Sequence, residues 1–274
     1  MPAFVDFQGV WLAYSDDLLA QGQFAVEDIS LQVEVGAFIA IVGPSGCGKS
    51  TFMKLATGLK RPSRGTVVID GRPVTGPLKI TGMAFQAPSL LPWRTTLQNV
   101  LLPLEIVEPY RSRFKQKRAE YQDKARKLLQ RVGLGGYEDK FPWQLSGGMQ
   151  QRASICRALV HEPKLLLLDE PFGALDAFTR EELWCALRDL QAAQQFNVIL
   201  VTHDLRESVF LADTVYVMSK SPGRMVVRRE IDLPRPRDLE ITYTPQFTDI
   251  VHELRGHIGK VRNSLGAAAA QAAK

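Results

Sequence analysis

Two short runs in this chain join glycine to a hydroxyl or an ammonium: 43-GPSGCGKST-51 and 145-LSGGMQQR-152. The first matches the spacing GxxxxGK[ST], after the apolar run 38-FIAIV-42 and before a helix-forming segment, the context that makes this spacing meaningful. Gly43, Gly46 and Gly48 admit torsions closed to other residues. The loop Gly43, Pro44, Ser45, Gly46, Cys47, Gly48 can therefore turn its N–H groups inward on phosphate oxygens. A helix opening near Lys49 adds its positive end. Lys49 is expected to reach the β- and γ-phosphates of a nucleoside triphosphate, Ser50 to coordinate Mg²⁺, and Thr51 to bond a phosphate oxygen.

In 165-LLLLDEP-171 four leucines end in two adjacent acids. Asp169, at the edge of an apolar strand, can hold Mg²⁺ directly or through water. Glu170 points to the other side of the chain and can polarise an attacking water. A phosphate cradle beside such a pair favours hydrolysis over transfer to a bound acceptor. The second run sets Ser146, Gly147 and Gly148 ahead of 149-MQQRASICRALV-160, where Ala153, Ile155, Cys156 and Leu159 suit a buried helix face. A serine hydroxyl and two unhindered N–H groups at a helix start would bind phosphate, although the same serine also suits a plain helix cap.

Short apolar strands alternate with helical segments along most of the chain, which argues for an α/β layered sheet. The segment 50–59 reads as a helix closed by Gly58, and 65–74 as a hairpin turning at Asp70-Gly71. From Ala87 to Ala158 the pattern is mostly helical, clearest over 113–134. Strand 164–169, helix 177–194, strand 197–202, helix 204–212 and strand 214–219 follow. A strand over 225–233, the proline-broken 234-PRPRD-238, a short helical tail and a frayed alanine-rich end complete it.

With 274 residues the chain can bury a substantial core, and 45% hydrophobic with 23% charged residues is ordinary for a globular protein. A net charge of +5 fits an anion-binding or membrane-adjacent protein without demanding nucleic acid. The irregular spacing of Cys47, Cys156 and Cys185 points to neither a disulfide framework nor a zinc site, and a reducing cytoplasm is expected. The start of the chain lacks the features of a secretory leader, and no apolar run approaches the eighteen or so residues that span a bilayer.

Taken in order, the P-loop, a glutamine after a strand in 82-GMAFQ-86, LSGGMQQR, LLLLDEP, 174-ALD-176 and 202-TH-203 resemble the ATP-binding subunit of ATP-binding cassette (ABC) transporters over residues 3–220. The resemblance implies an ABC ATPase core of the α/β P-loop class with an antiparallel β subdomain and an inserted α-helical subdomain. The ATP-binding domain is expected over 1–235, with its helical subdomain at about 87–160, followed by a C-terminal extension over 236–274. It also implies a head-to-tail dimer in which each ATP and its Mg²⁺ lie between one copy's P-loop and the other's LSGG turn. Tyr14 then resembles the residue that stacks on adenine, with Val26 beside it and Trp11 as competitor. Gln86 resembles the sensor of Mg²⁺ and the attacking water, Asp176 the acid that faces the partner's site, and His203 the contact to the γ-phosphate. Glu170 matches the general base, and the metal-facing set is Ser50, Gln86 and Asp169.

A single cassette without fused membrane helices resembles the separate ATPase chains of bacterial importers. The texture of 84–106, 171–184 and 217–226 is similar to the nitrate, sulfonate and taurine branch, and Met149 and Gly173 are variants of the importer kind. That resemblance implies membrane permease subunits, a periplasmic or lipid-anchored substrate-binding protein, and a peripheral location on the cytoplasmic face of the cell membrane. A soluble ATPase without a permease and the ATPase of a lipid or lipoprotein exporter remain as rivals. Leu90, Leu91 and Trp93 lie where a permease is expected to dock, unless they pack the helical subdomain. The basic run 111–118 suits a solvated helix face better than anionic lipid. Cys47, near a helix start, is expected to be unusually reactive.

Overall fold

The computed structural model describes residues 3–173, 175–220 and 222–272, with side chains as far as residue 261. It divides into two units, one formed by residues up to Leu78 together with those from Asn197 onward, the other by Lys79–Phe196.

In the first unit β1 (Val5–Leu12) pairs antiparallel with β2 (Val26–Val33), the two joined through the short α1 (Asp16–Ala20). β1 changes the parity of its inward face, burying Val5 and Phe7 and then Val10 and Leu12. Gly9, with φ of 54°, lies in the register shift that permits the change. Strict alternation would have turned Val10 and Leu12 to solvent. The run Phe38–Val42 is β3, buried at every residue, and it leads to α2 (Lys49–Ala56). Phe52 of α2 stacks on Phe7 at 4.6 Å, which seats the helix on the antiparallel sheet. β4 (Arg64–Ile69) returns along β1 and turns into β5 (Arg72–Pro73) through Asp70 and Gly71, with φ of 52° and 72°. Two consecutive positive torsions match the twist of a tight hairpin.

The second unit pairs β6 (Thr81–Ala84) in parallel with β7 (Leu165–Asp169). Between them lie α3 (Thr96–Ile106), α4 (Tyr110–Arg113), α5 (Arg118–Arg131) and α6 (Gly147–Leu159), and after β7 comes α7 (Ala177–Gln194). The helix expected over 113–134 is shorter and begins at Arg118. The apolar spacing survives because Phe114 folds back to 5.9 Å from Tyr121 around the intervening turn. Residues 111–118 are exposed apart from Phe114.

The stretch 85–95 is irregular, not helical, yet it is fastened at several points. Gln151 donates to the Phe85 carbonyl at 3.1 Å, and Arg157 to those of Pro88 and Ser89 at 2.7 and 2.9 Å. The buried Asn99 accepts from Leu91 N at 2.7 Å and donates to the Leu91, Arg94 and Thr95 carbonyls. One amide thus holds the turn that displays Trp93, which is 70% exposed, while Leu90 and Leu91 are half-buried.

The chain re-enters the first unit as β8 (Asn197–Thr202), α8 (Leu205–Leu211), β9 (Thr214–Met218) and β10 (Met225–Glu230). β8 and β9 flank β3 in parallel, and β10 closes the edge antiparallel to β9. Near-continuous apolar strands are what such a sheet, covered on both faces, requires. α9 (Pro245–Ala272) is 28 residues long where a short helix was expected. The chain's alanine-rich end, residues 266–274, expected to fray, falls within 262–274, whose side chains, with all of 273 and 274, lie outside the described residues. Among the described residues no helix is long and apolar enough to cross a membrane.

Replacing Asn99 with alanine leaves the Leu91 amide and three carbonyls without this partner. A loss of about 1–3 kcal/mol is expected, read as a lowered midpoint in chemical denaturation. Unchanged stability would show that water replaces the amide without cost.

Candidate functional site

Parallel pairing carries two sets of candidate residues to strand ends. Within the first unit Val42 of β3 pairs with Thr202 of β8, so the P-loop and His203 leave the sheet side by side. Within the second unit Ala84 pairs with Leu168, so Gln86 and Glu170 each lie two residues past a paired position and Asp169 one. Crevices at the carboxyl ends of parallel strands are where open α/β sheets bind ligands.

The P-loop closes around its own lysine. Lys49 is 7% exposed, and its Nζ donates to the Gly43 and Pro44 carbonyls at 2.9 and 3.3 Å. Among the described residues no carboxylate pairs with it. Its third contact is the Cys47 sulfur at 3.9 Å; a buried cation held by such neutral acceptors is poised for an anion, and a triphosphate supplies one. Gly48 caps α2 at φ 102°, and a Cβ there would stand 2.8 Å from Val26 Cγ1. Val26 is therefore buried under the loop. Ser50 is exposed at the start of α2.

Tyr14 is the aromatic residue tied to this loop. It is 43% exposed, its hydroxyl lies 2.9 Å from Thr51 Oγ1, and the Lys54 and Lys60 ammonium groups lie 5.4 and 5.8 Å from its ring centre. Trp11 is engaged elsewhere, edge-on to Phe24 at 4.8 Å with Arg64 over its ring. The Thr51 hydroxyl, expected to bond a phosphate oxygen, lies beside that of Tyr14.

The expected reactivity of Cys47 is not what the structure supports. The thiol is 1% exposed, and burial raises its pKa, only partly offset by the neighbouring Lys49. Proximity to a helix start is overridden by desolvation.

In the second unit Ser146 caps α6, its Oγ accepting from Met149 N at 3.3 Å, and its hydroxyl hydrogen remains available to a ligand. Gly147 is open: a Cβ there would have no neighbour within 4 Å. Gly148 packs toward Leu175 and Thr179. The signature turn thus adjoins Asp176, which caps α7 by accepting from Thr179 N at 3.0 Å. That backbone hydrogen bond, then the Thr179 side chain, hold the exposed carboxyl below its usual range. Ala174 lies outside the described residues. Asp169 and Glu170 are half-buried at the end of β7, and Glu170 adopts φ of 47°, a left-handed torsion that side chains other than glycine's rarely take.

Sequence reasoning missed the loop behind the cradle. Gly223 donates to the Ala25 carbonyl at 3.1 Å, and its own carbonyl accepts from Glu27 N at 2.9 Å. A Cβ on Gly223 would lie 2.1 Å from the Cys47 carbonyl oxygen, so only glycine fits under the P-loop here. Lys220 brings Nζ to within 3.9 Å of the place a Cβ would take on Gly46. The Pro-Gly pair was visible, but its contact with a loop about 180 residues earlier was not.

A family model described as ABC transporter matches residues 26–173. The taurine import ATP-binding protein TauB of Yersinia pestis bv. Antiqua is 43% identical over 83% of this chain and 84% of its own. The chain belongs to the ABC transporter family. The aliphatic sulfonates import ATP-binding protein SsuB of Bacillus licheniformis is 44% identical over 77% of this chain and 79% of its own. A dimeric post-hydrolysis structure of the cassette MJ0796, bound to ADP and Pi, superposes with a TM-score of 0.70 at 29% identity, covering 84% of this chain and all of that one. The fold is that of an ABC ATPase, and the expected P-loop class stands.

Alkylation tests the Cys47 environment. Only the thiolate attacks, so a raised pKa means a protonated, inert thiol at neutral pH. Iodoacetamide at pH 7.5 is expected to leave Cys47 and Cys156 intact by peptide mass spectrometry until the chain is unfolded; burial pushes Cys156 up to about 12. Rapid labelling of Cys47 that ATP blocks would restore the reactive reading.

Proposed function

We propose that this chain is the ATP-hydrolysing subunit of an importer for a small anion of the nitrate, sulfonate or taurine type, working through a separate membrane permease. The observation that carries the reading is the buried Lys49 ammonium inside a complete P-loop, with His203 leaving the adjacent strand. The names of the 43–44% identical relatives support import and the anion class.

ATP is bound by its phosphates along Gly43, Pro44, Ser45, Gly46, Cys47 and Gly48, with Lys49 moving its donors from loop carbonyls to phosphate oxygens. Tyr14 offers its ring to adenine. The hydroxyl of Ser50, the amide oxygen of Gln86 and the carboxylate of Asp169 are hard oxygen donors suited to Mg²⁺. When bound, the ion would offset phosphate charge. Glu170 accepts the proton of the attacking water, Gln86 orients that water, and His203 donates to the γ-phosphate.

Ser146, Gly147 and Gly148 of one copy close over the nucleotide of another, with Asp176 beside the junction. Two signature turns and two P-loops then make two shared sites in a head-to-tail dimer, a reading supported by dimeric relatives. Closure is passed to the permease through the surface around Trp93, and the 70% exposure of that indole supports an apolar partner. A substrate-binding protein outside the membrane supplies the solute. The chain works at the cytoplasmic face without crossing the bilayer and takes no nucleic acid as partner.

Glu170→Gln is expected to lower ATP turnover at least 100-fold, the scale of a lost general base, while ATP-binding is kept. With Mg-ATP the variant should elute as a dimer in gel filtration. Wild-type turnover would remove Glu170 from the role.

A further inference from the structure

The run 234-PRPR-237, a simple chain break on sequence grounds, contains the most heavily engaged buried charge described in the first unit. Arg237 is 2% exposed. Its Nη1 donates to the carbonyls of Val209, Phe210 and Ala212 at 3.0, 3.1 and 2.6 Å, and Nη2 to that of Ile231 at 3.2 Å. Arg235 supplies the missing member of the series, donating to the Leu211 carbonyl at 2.8 Å. The consecutive carbonyls 209–212 close α8, and each accepts from one of two arginines. These are the acceptors a helix end leaves without intrahelical partners, and a cation there also meets the negative end of the helix dipole. Burial, then Arg235, lower the Arg237 pKa to about 10, so the guanidinium stays charged at neutral pH.

The clamp is anchored to the strand that feeds the P-loop. Arg235 pairs with Asp213 Oδ1 at 2.6 Å, and Asp213 Oδ2 accepts from Phe38 N, the first residue of β3, at 2.7 Å. At the other end of α8, Asp204 caps the helix by accepting from Arg206 N and Glu207 N, and its own N–H donates to Thr202 Oγ1 at 2.9 Å. His203 and the capping Asp204 are thus the two residues between β8, held in the sheet, and α8, held by the arginines. Seven residues of helix span only about 10 Å, so α8 moves as one body and a shift at its end reaches its start. Glu207 to Leu211 are all buried, α8 packs on β3 and α9, and Arg206 lies over Phe247 of α9.

We propose that Arg237 is a positioning residue for His203, acting through α8, so that the C-terminal segment sets the aim of the imidazole at the nucleotide. This rests on the γ-phosphate role given to His203 above. Without the guanidinium, α8 must tilt or unwind its last turn to find donors for its carbonyls. Either moves Asp204 and with it His203, while the P-loop keeps its own supports.

The test uses the full-length chain with Arg237→Met, Arg237→Lys, His203→Ala and the double variant His203→Ala/Arg237→Met. Circular dichroism verifies folding, equilibrium titration gives the Mg-ATP Kd, and steady-state hydrolysis gives kcat and KM. The expected result is a folded Arg237→Met with Kd within threefold of wild type, kcat lowered at least tenfold, and partial recovery in Arg237→Lys. The double variant should be no slower than His203→Ala by more than twofold, because both changes remove one contribution. Wild-type kcat in Arg237→Met, losses that multiply in the double variant, or failure of both Arg237 variants to fold would overturn the proposal. Wild-type turnover in His203→Ala would instead remove the role of His203 itself, and a slow Arg237→Met would then reveal a different route.

Discussion

The Lys49 ammonium sits inside the P-loop with carbonyl oxygens as its nearest partners, and much of the first unit is arranged around keeping it there. A charge out of water without a counter-ion is costly, so the loop that holds it must be braced from outside. Phe52 stacked on Phe7 fixes the helix that follows, Gly223 fills the space beneath Cys47, and β3 enters the loop from between two parallel neighbours. The same tight support buries the Cys47 thiol. Binding triphosphate replaces weak neutral acceptors with anionic ones, and the stored cost becomes affinity.

Where the other candidate residues stand within each unit follows from strand register. Val42 beside Thr202 puts His203 next to the P-loop in one unit, and Ala84 beside Leu168 gathers Gln86, Asp169 and Glu170 in the other. The signature turn and Asp176 form a third cluster through the contact of Gly148 with Leu175 and Thr179. Each cluster ends an element with its backbone pinned, so the chemistry is presented by rigid strand and helix ends.

Much of this was legible because its signals are local. The apolar runs at 38–42, 165–168 and 197–202 and the helix at 177–194 emerge within a residue or so of where periodicity puts them. The hairpin at Asp70-Gly71 is equally local. Features that depend on distant partners were not legible. A bulge at Gly9 lets β1 bury both parities, and Gly223 and Arg237 find their carbonyls far along the chain; the fold-back of Phe114 onto Tyr121, though short-range, delays the start of α5 to Arg118. Cys47 shows the same limit in reverse, since a local rule about helix starts lost to burial set by the whole fold.

In the proposed dimer one copy's P-loop and another's signature turn hold the same nucleotide. Cross-linking between copies separates this arrangement from a site closed within one copy. Copies carrying Glu170→Gln and Cys185→Ser would receive either Ser45→Cys or Gly147→Cys, both at exposed positions, with buried Cys47 and Cys156 left in place. Mixed and treated with a short bismaleimide, the two kinds should join into a heterodimer only when Mg-ATP is present. The same pair of cysteines in one copy should not link within that copy. Linking that ignores ATP, or that forms within a single copy, would contradict the shared site.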